Sequence, residues 1–178
     1  MIFSSTAIDG VMIVDLERRG DDRGFFARFF SAEEFVRQGL TPPGEQGNVS
    51  FTAEAGTVRG IHWQSGEAAE AKLFRCTRGA MHDVAVDVRP ESPTYLQHVA
   101  VELTAENRRS LYLPEGVGHG YQTLVADTEA LYLVSAAYEP AAERGLQPTD
   151  PKLGIDWPLS VGELSGKDQN WPLLTDRD

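Results

Sequence analysis

Short runs rich in β-branched and aromatic residues recur along this chain at 11–14, 48–51, 57–62, 73–78, 81–88, 95–103, 109–113, 121–125 and 130–137, and each reads as a strand. Gly79, the Pro90-Glu91-Ser92-Pro93 stretch and Glu115-Gly116 punctuate them. Within 81–88 the alternation is strict. His82, Val84, Val86 and Val88 take one face, and Met81, Asp83, Ala85 and Asp87 take the other, as in a barrel wall with a polar interior or surface side. Strands at even spacing with almost no helix between them predict an all-β sandwich or barrel, and a jelly roll closes that many strands economically. Ser31 with Glu34 three residues on is a capping box and Gly39 is a stop, so 31–38 is predicted as a short peripheral helix. Between the first strand and that helix, four phenylalanines interleave with two arginines; Phe26, Phe29 and Phe30 are expected in the core, and Arg23, at a loop end, is the better functional candidate. From Glu139 on, proline and aspartate predict loops and a turn or two of helix.

Composition narrows the reading. At 178 residues the chain suits one well-buried domain, 1–178, and is short for two. Its 41% hydrophobic and 24% charged residues are those of a globular protein, and no apolar run approaches the length of a membrane span. The first ten residues lack a basic region followed by an apolar core, so no secretory leader is expected. Cys76 is the only cysteine, which precludes a disulfide within the chain and makes a reducing cytoplasm the expected location. A net charge of −11 argues against nucleic acid as a partner, although arginines gathered locally still allow a small phosphorylated ligand.

The chemistry centres on Arg59-Gly60-Ile61-His62-Trp63-Gln64, with Lys72 opening the next apolar run. A histidine at a strand end near a lysine suits proton transfer beside a carbonyl. Pro114-Glu115-Gly116-Val117-Gly118-His119 has the P-x-G-x-x-H spacing of the second cupin motif, and His62 sits where the first would fall. Only His62 and His119 offer themselves as metal ligands, fewer than a metal-binding cupin needs, so a metal-free cupin is expected. Taken alone, His119 is equally well a buried histidine bonded to strand backbone. Arg59, Lys72 and Arg75 are three cations on or beside the same strands of an acidic protein, which a bound anion would explain. Strict alternation puts Arg59 and His62 on opposite faces, so both line one site only if Gly60 permits a bulge. Tyr132 and Tyr138 read first as core or rim aromatics, and Asp168 as a solvated charge in a polar tail.

These residues also carry a family resemblance. Asp21-Asp22-Arg23-Gly24-Phe25-Phe26, Q-x-N-x-S at 46–50, R-G-I-H-W-Q, K-L-x-R-C-x-R-G at 72–79, D-V-A-V-D-V-R-P-E-S-P-T at 83–94, V-E-L-T-A-E-N-R-R at 101–109, L-P-E-G-x-x-H-G at 113–120, E-R-G at 143–145 and D-P-x-L-G-I-D-W-P at 150–158 together resemble the dTDP-4-dehydrorhamnose 3,5-epimerase family over nearly the whole chain. The resemblance implies a metal-free, cupin-type jelly-roll barrel with a few short peripheral helices, a homodimer, no cofactor, and a nucleotide-diphosphate 4-keto sugar as substrate. It implies that His62 is the general base, Asp168 its partner, Tyr132 the proton donor on the opposite face of the sugar, and Lys72 the cation near the C4 oxygen. Arg23, Gln46, Asn48, Arg59, His119, Glu143 and Lys167 correspond to substrate contacts, and Tyr138 to an aromatic that stacks on the nucleotide or sugar. The chain departs from better-known members at Arg28, Val49, Leu133 and Gln147-Pro148-Thr149. A 3,5-epimerase on the route to dTDP-L-rhamnose leads. A single-carbon epimerase or ketoisomerase on a related dTDP-, CDP- or GDP-sugar is its variant, and a non-catalytic sugar-nucleotide-binding cupin is the alternative from another class.

Overall fold

A computed structural model of the chain describes residues 1–174. Among them, thirteen strands and two short helices make an antiparallel β-sandwich. One sheet has six strands: β1 (Ile2–Ser5), β2 (Met12–Asp15), β10 (Ser110–Leu113), β7 (Lys72–Arg78), β12 (Thr128–Val134) and β5 (Gln46–Thr52), in that spatial order. The other has five: β13 (Glu143–Gly145), β6 (Val58–Gln64), β11 (Val117–Thr123), β8 (Ala80–Asp87) and β9 (His98–Thr104). A separate hairpin pairs β3 (Arg19–Asp21) with β4 (Gly24–Phe26).

Period-two alternation decides what each face buries. Phe74, Cys76 and Ala130 from the first sheet meet Met81, Ala85 and Tyr121 from the second, and this layer is the main core. The six-stranded sheet turns Val14, Leu73 and Tyr112 outward under α1 (Ala32–Arg37), whose Phe35 is fully buried against Phe3, Phe30 and Tyr112. The five-stranded sheet turns Ile61, Val84 and Val86 outward beneath Leu146, Leu153 and Trp157 of the closing segment. That segment is tied down at Gln122, whose fully buried side chain donates to Leu159 O at 3.0 Å and accepts from Leu159 N at 2.9 Å. The expected polar interior of 81–88 is present: Asp83 and Asp87 are both fully buried.

Several expectations need correction. Phe26 and Phe29 are exposed, Phe26 to 72% because the β3–β4 hairpin stands off the sandwich, while Phe29 lies over the Arg75 guanidinium outside the six-stranded sheet; of the three only Phe30 packs against the core. Ser31 is the helix N-cap but its side chain caps nothing, since Glu34 bonds instead to the Met1 amino group at 2.8 Å and to Arg28 at 2.9 Å. The strand expected from Tyr95 starts at His98, because Ser92 and Thr94 hydroxyls bond back to Asp87 at 2.6 Å and turn the chain. Conversely the strand expected from Tyr121 begins at Val117 as β11 (Val117–Thr123); there Gly118 and Gly120 let Ile61 pack directly on the strand. The strand expected to reach Ala137 stops at Val134, and the segment from Glu139 contains β13 as well as α2 (Gly166–Gln169).

Candidate active site

Between the sheets lies a cavity of about 900 Å³, and His62, Lys72 and Tyr132 line both it and a smaller one of about 360 Å³. Both sheets supply its walls. Arg59 and His62 come from β6, and both line the larger cavity because the β6–β11 pairing slips by one residue: His119 pairs with His62, but Tyr121 pairs with Arg59. Gly60 sits in the slip with φ +112°, and a Cβ there would come within 2.5 Å of both Gly120 Cα and His119 O. A bulge of this kind turns two residues of one strand to the same side.

His62 Nε2 bonds to Asp168 Oδ1, carried on the first turn of α2. Ser165 caps that turn, its Oγ accepting from Asp168 N at 3.1 Å. Burial works to raise the Asp168 carboxyl, but bonds from His62, the Ser165 side chain and the Gly60 N–H outweigh it and hold the group below the ordinary carboxylate value. Asp168 is therefore a buried, ionised partner, where its sequence context alone suggests a solvated charge.

Across the cavity, Tyr132 projects from β12 with its ring stacked on Phe74 at 5.1 Å. Its hydroxyl makes no hydrogen bond among the described residues, and burial first, then Tyr121 and Glu70 nearby, raise its pKa. The phenol stays protonated. Lys72 Nζ, also well covered, pairs with Glu70 Oε1 at 2.9 Å. His119 Nε2 bonds to Asp83 Oδ1 at 2.8 Å, and its ring lies 4.4 Å from Phe74. Arg59 has no carboxylate partner among the described residues; its Nε donates to Thr52 Oγ1 at 3.0 Å and its Nη2 to Phe51 O at 3.3 Å.

In the smaller cavity Gln46 Nε2 donates to Asn48 Oδ1 at 2.7 Å. Glu143 accepts from the Tyr138 hydroxyl at 3.0 Å and from Lys167 Nζ at 2.6 Å. Burial raises the Glu143 carboxyl, but these two bonds pull it below its ordinary value. Thus eleven of the twelve candidate residues line one cavity or the other. Arg23 does not: it is 90% exposed at the hairpin and bonds to Asp21 at 2.6 Å. Arg75 does not either, since it points out of the six-stranded sheet beneath the Phe29 ring. Nor do three of the family departures line the cavity: Arg28 pairs with Glu34, Val49 is exposed, and Leu133 packs beneath α1.

Phe74, Glu70, Asp83 and the Ser50–Tyr121 hydroxyl contact at 3.1 Å are site features that sequence reasoning missed. Phe74 was accessible, since it lies two residues beyond Lys72 on the same face of a strand.

The sandwich with His62 and His119 on adjoining inner strands defines a cupin-type jelly roll, and the imidazole–carboxylate and phenol groups facing each other across its cavity are the equipment of acid–base chemistry. Residues 5–176 match the family described as dTDP-4-dehydrorhamnose 3,5-epimerase. A dTDP-4-dehydrorhamnose 3,5-epimerase of Sinorhizobium fredii is 45% identical over 98% of this chain and 90% of that protein. A dTDP-4-dehydrorhamnose 3-epimerase of Streptomyces niveus is 39% identical over 95% of this chain and 82% of its own. The crystal structure of dTDP-6-deoxy-D-glucose-3,5-epimerase from Legionella pneumophila in complex with dTDP-4-keto-L-rhamnose superposes with a TM-score of 0.90 at 38% identity, covering 99% of this chain and 94% of that one. The chain belongs to the dTDP-4-dehydrorhamnose 3,5-epimerase family, whose members are isomerases.

Proposed function

We propose that this protein converts dTDP-4-dehydro-6-deoxy-D-glucose to dTDP-4-dehydro-L-rhamnose by removing and returning protons at C3 and C5. The observation that carries the reading is the placement of His62, backed by Asp168, on one sheet and the free Tyr132 hydroxyl on the other, both lining one cavity. A hydrogen on C3 or C5 is acidic because the C4 carbonyl takes up the charge as an enolate, so the reaction needs a base, a cation at that oxygen and an acid on the far face. His62 accepts the proton at the nitrogen not bonded to Asp168, Lys72 holds the enolate oxygen, and Tyr132 returns a proton from the opposite side. No cofactor enters this chemistry.

Arg59, lacking a carboxylate of its own, receives the diphosphate. Gln46, Asn48, His119, Glu143 and Lys167 contact the substrate, and Tyr138 stacks on the nucleotide or sugar. Arg23 serves as a contact from a second copy of the chain. A homodimer fits the exposed phenylalanines of the hairpin, Phe25 and Phe26, and Val49 and Phe51 on the edge strand β5, which a monomer leaves in water. The cytoplasm suits a chain whose only cysteine is buried and in which no helix among the described residues is long and apolar enough to cross a membrane.

Proton NMR of the substrate in deuterated buffer tests the activity. Exchange at both carbons is expected. Exchange at C3 alone would place the protein with 3-epimerases such as that of Streptomyces niveus. A bound nucleotide sugar that exchanges at neither carbon would overturn the catalytic reading.

A further inference from the structure

The cavity contains two imidazole–carboxylate pairs, and they are built differently. His62 and His119 are register partners on β6 and β11, and each bonds through Nε2 to a buried carboxylate. Asp168 has further donors in Ser165 and the Gly60 N–H, which help to hold its carboxyl below the ordinary carboxylate value. Asp83 has only His119. It is fully buried, and its Oδ2 meets no donor. Burial pushes its carboxyl up, against the pull of His119.

The Asp83–His119 pair has three ways to hold its protons. A carboxylate beside a neutral imidazole leaves a net charge sealed in the protein with one hydrogen bond to support it, which is the costly arrangement. An ion pair with imidazolium is neutral overall, and so is a carboxylic acid donating to Nε2. In both neutral arrangements the hydrogen that matters is on Nδ1. That nitrogen makes no hydrogen bond among the described residues and is not among the sealed, partnerless side-chain atoms, while the ring lines the larger cavity.

We propose that Asp83 is a positioning residue that fixes His119 as a hydrogen-bond donor through Nδ1, presented to the substrate oxygen that gains charge as His62 takes the proton. This rests on the epimerase reading and deepens it. Side chains of register-paired residues stand about 5 Å apart, a spacing that lets one imidazole address a carbon and its neighbour the adjoining carbonyl oxygen. Besides the His62–Asp168 pair, the other ionisable groups sharing this cavity are Lys72 on β7, Arg59 on β6, Tyr121 beside His119 on β11, Tyr132 on β12, and Glu163 and Lys167 from the segment that closes over it. Whichever of the two neutral arrangements the pair adopts, Nδ1 carries a hydrogen.

Long-range proton–nitrogen NMR of the histidine rings, assigned with His119→Gln, is expected to show Nδ1 of His119 protonated near neutral pH in the unliganded protein. Asp83→Asn removes the need for a neutral pair and is expected to release that tautomer. It is also expected to lower kcat about 100-fold while KM moves by less than about threefold, as loss of a donor to developing charge does. An unprotonated Nδ1 in the unsubstituted protein overturns the proposal whether or not the variant folds. A folded Asp83→Asn with kcat within about twofold of the original overturns it as well. If Nδ1 is protonated but the unsubstituted protein exchanges no proton of the nucleotide sugar, it is the epimerase reading that fails.

Discussion

His62 and Asp168 stand 106 residues apart in sequence, and that separation explains what could be read from the residues alone. The strand-end histidine, the lysine after it and the later P-x-G-x-x-H spacing all point to local chemistry, whereas Asp168 looks like a surface charge until α2 brings it against β6. The resemblance supplied what pattern could not. His62→Ala is expected to lower turnover by about 1,000-fold or more, since a positioned base contributes on that scale, while calorimetry still detects nucleotide-sugar binding through Arg59. Tyr132→Phe is expected to separate two events that normally go together. Solvent deuterium should still enter the substrate, because His62 remains, but inversion should fall sharply, and NMR of the product stereochemistry checks it.

Elements were legible where alternation runs uninterrupted and illegible where backbone geometry decides. The strand at 81–88 was found nearly to the residue, but the slip in β6 was visible only as a condition placed on Gly60. Gly60→Ala is expected to destabilise the protein by about 2 kcal/mol or more, because the added carbon meets main-chain atoms of β11 that cannot swing away. Activity should fall further than stability explains, since His62 follows two residues on; activity measured well below Tm separates the two effects. The turn after β8 depends on Asp87 in the same way. Burial opposes its ionisation, but Arg89, Ser92 and Thr94 bond to it and hold its carboxyl well below the usual carboxylate range. A depressed carboxyl contributes stability that is complete above about pH 4 and is lost as pH falls through the lower folded value. Asp87→Asn is expected to cost about 3 kcal/mol at neutral pH and to flatten the loss of stability in acid, which urea titrations at several pH values would reveal.

At the scale of the whole molecule, the sandwich was predictable from strand spacing, but its outer surfaces were not. Phenylalanines read as core because a sequence cannot say that a hairpin leaves the body of the fold, as Phe26 does. Light scattering is expected to find a dimer, and Phe26→Asp is expected to shift it toward monomer; a monomer at micromolar concentration without substitution would remove the role given to that surface. The strap from Leu159 to Asp168 has an implication in time as well as space. Its backbone joins the strand that carries His62 through contacts such as Val58 N to Glu163 O at 3.1 Å, and it reaches the sandwich after every strand is already in the chain. A molecule emerging from synthesis or dilution can thus be a complete container before it is a catalyst, and the appearance of turnover would date the docking of its last helix.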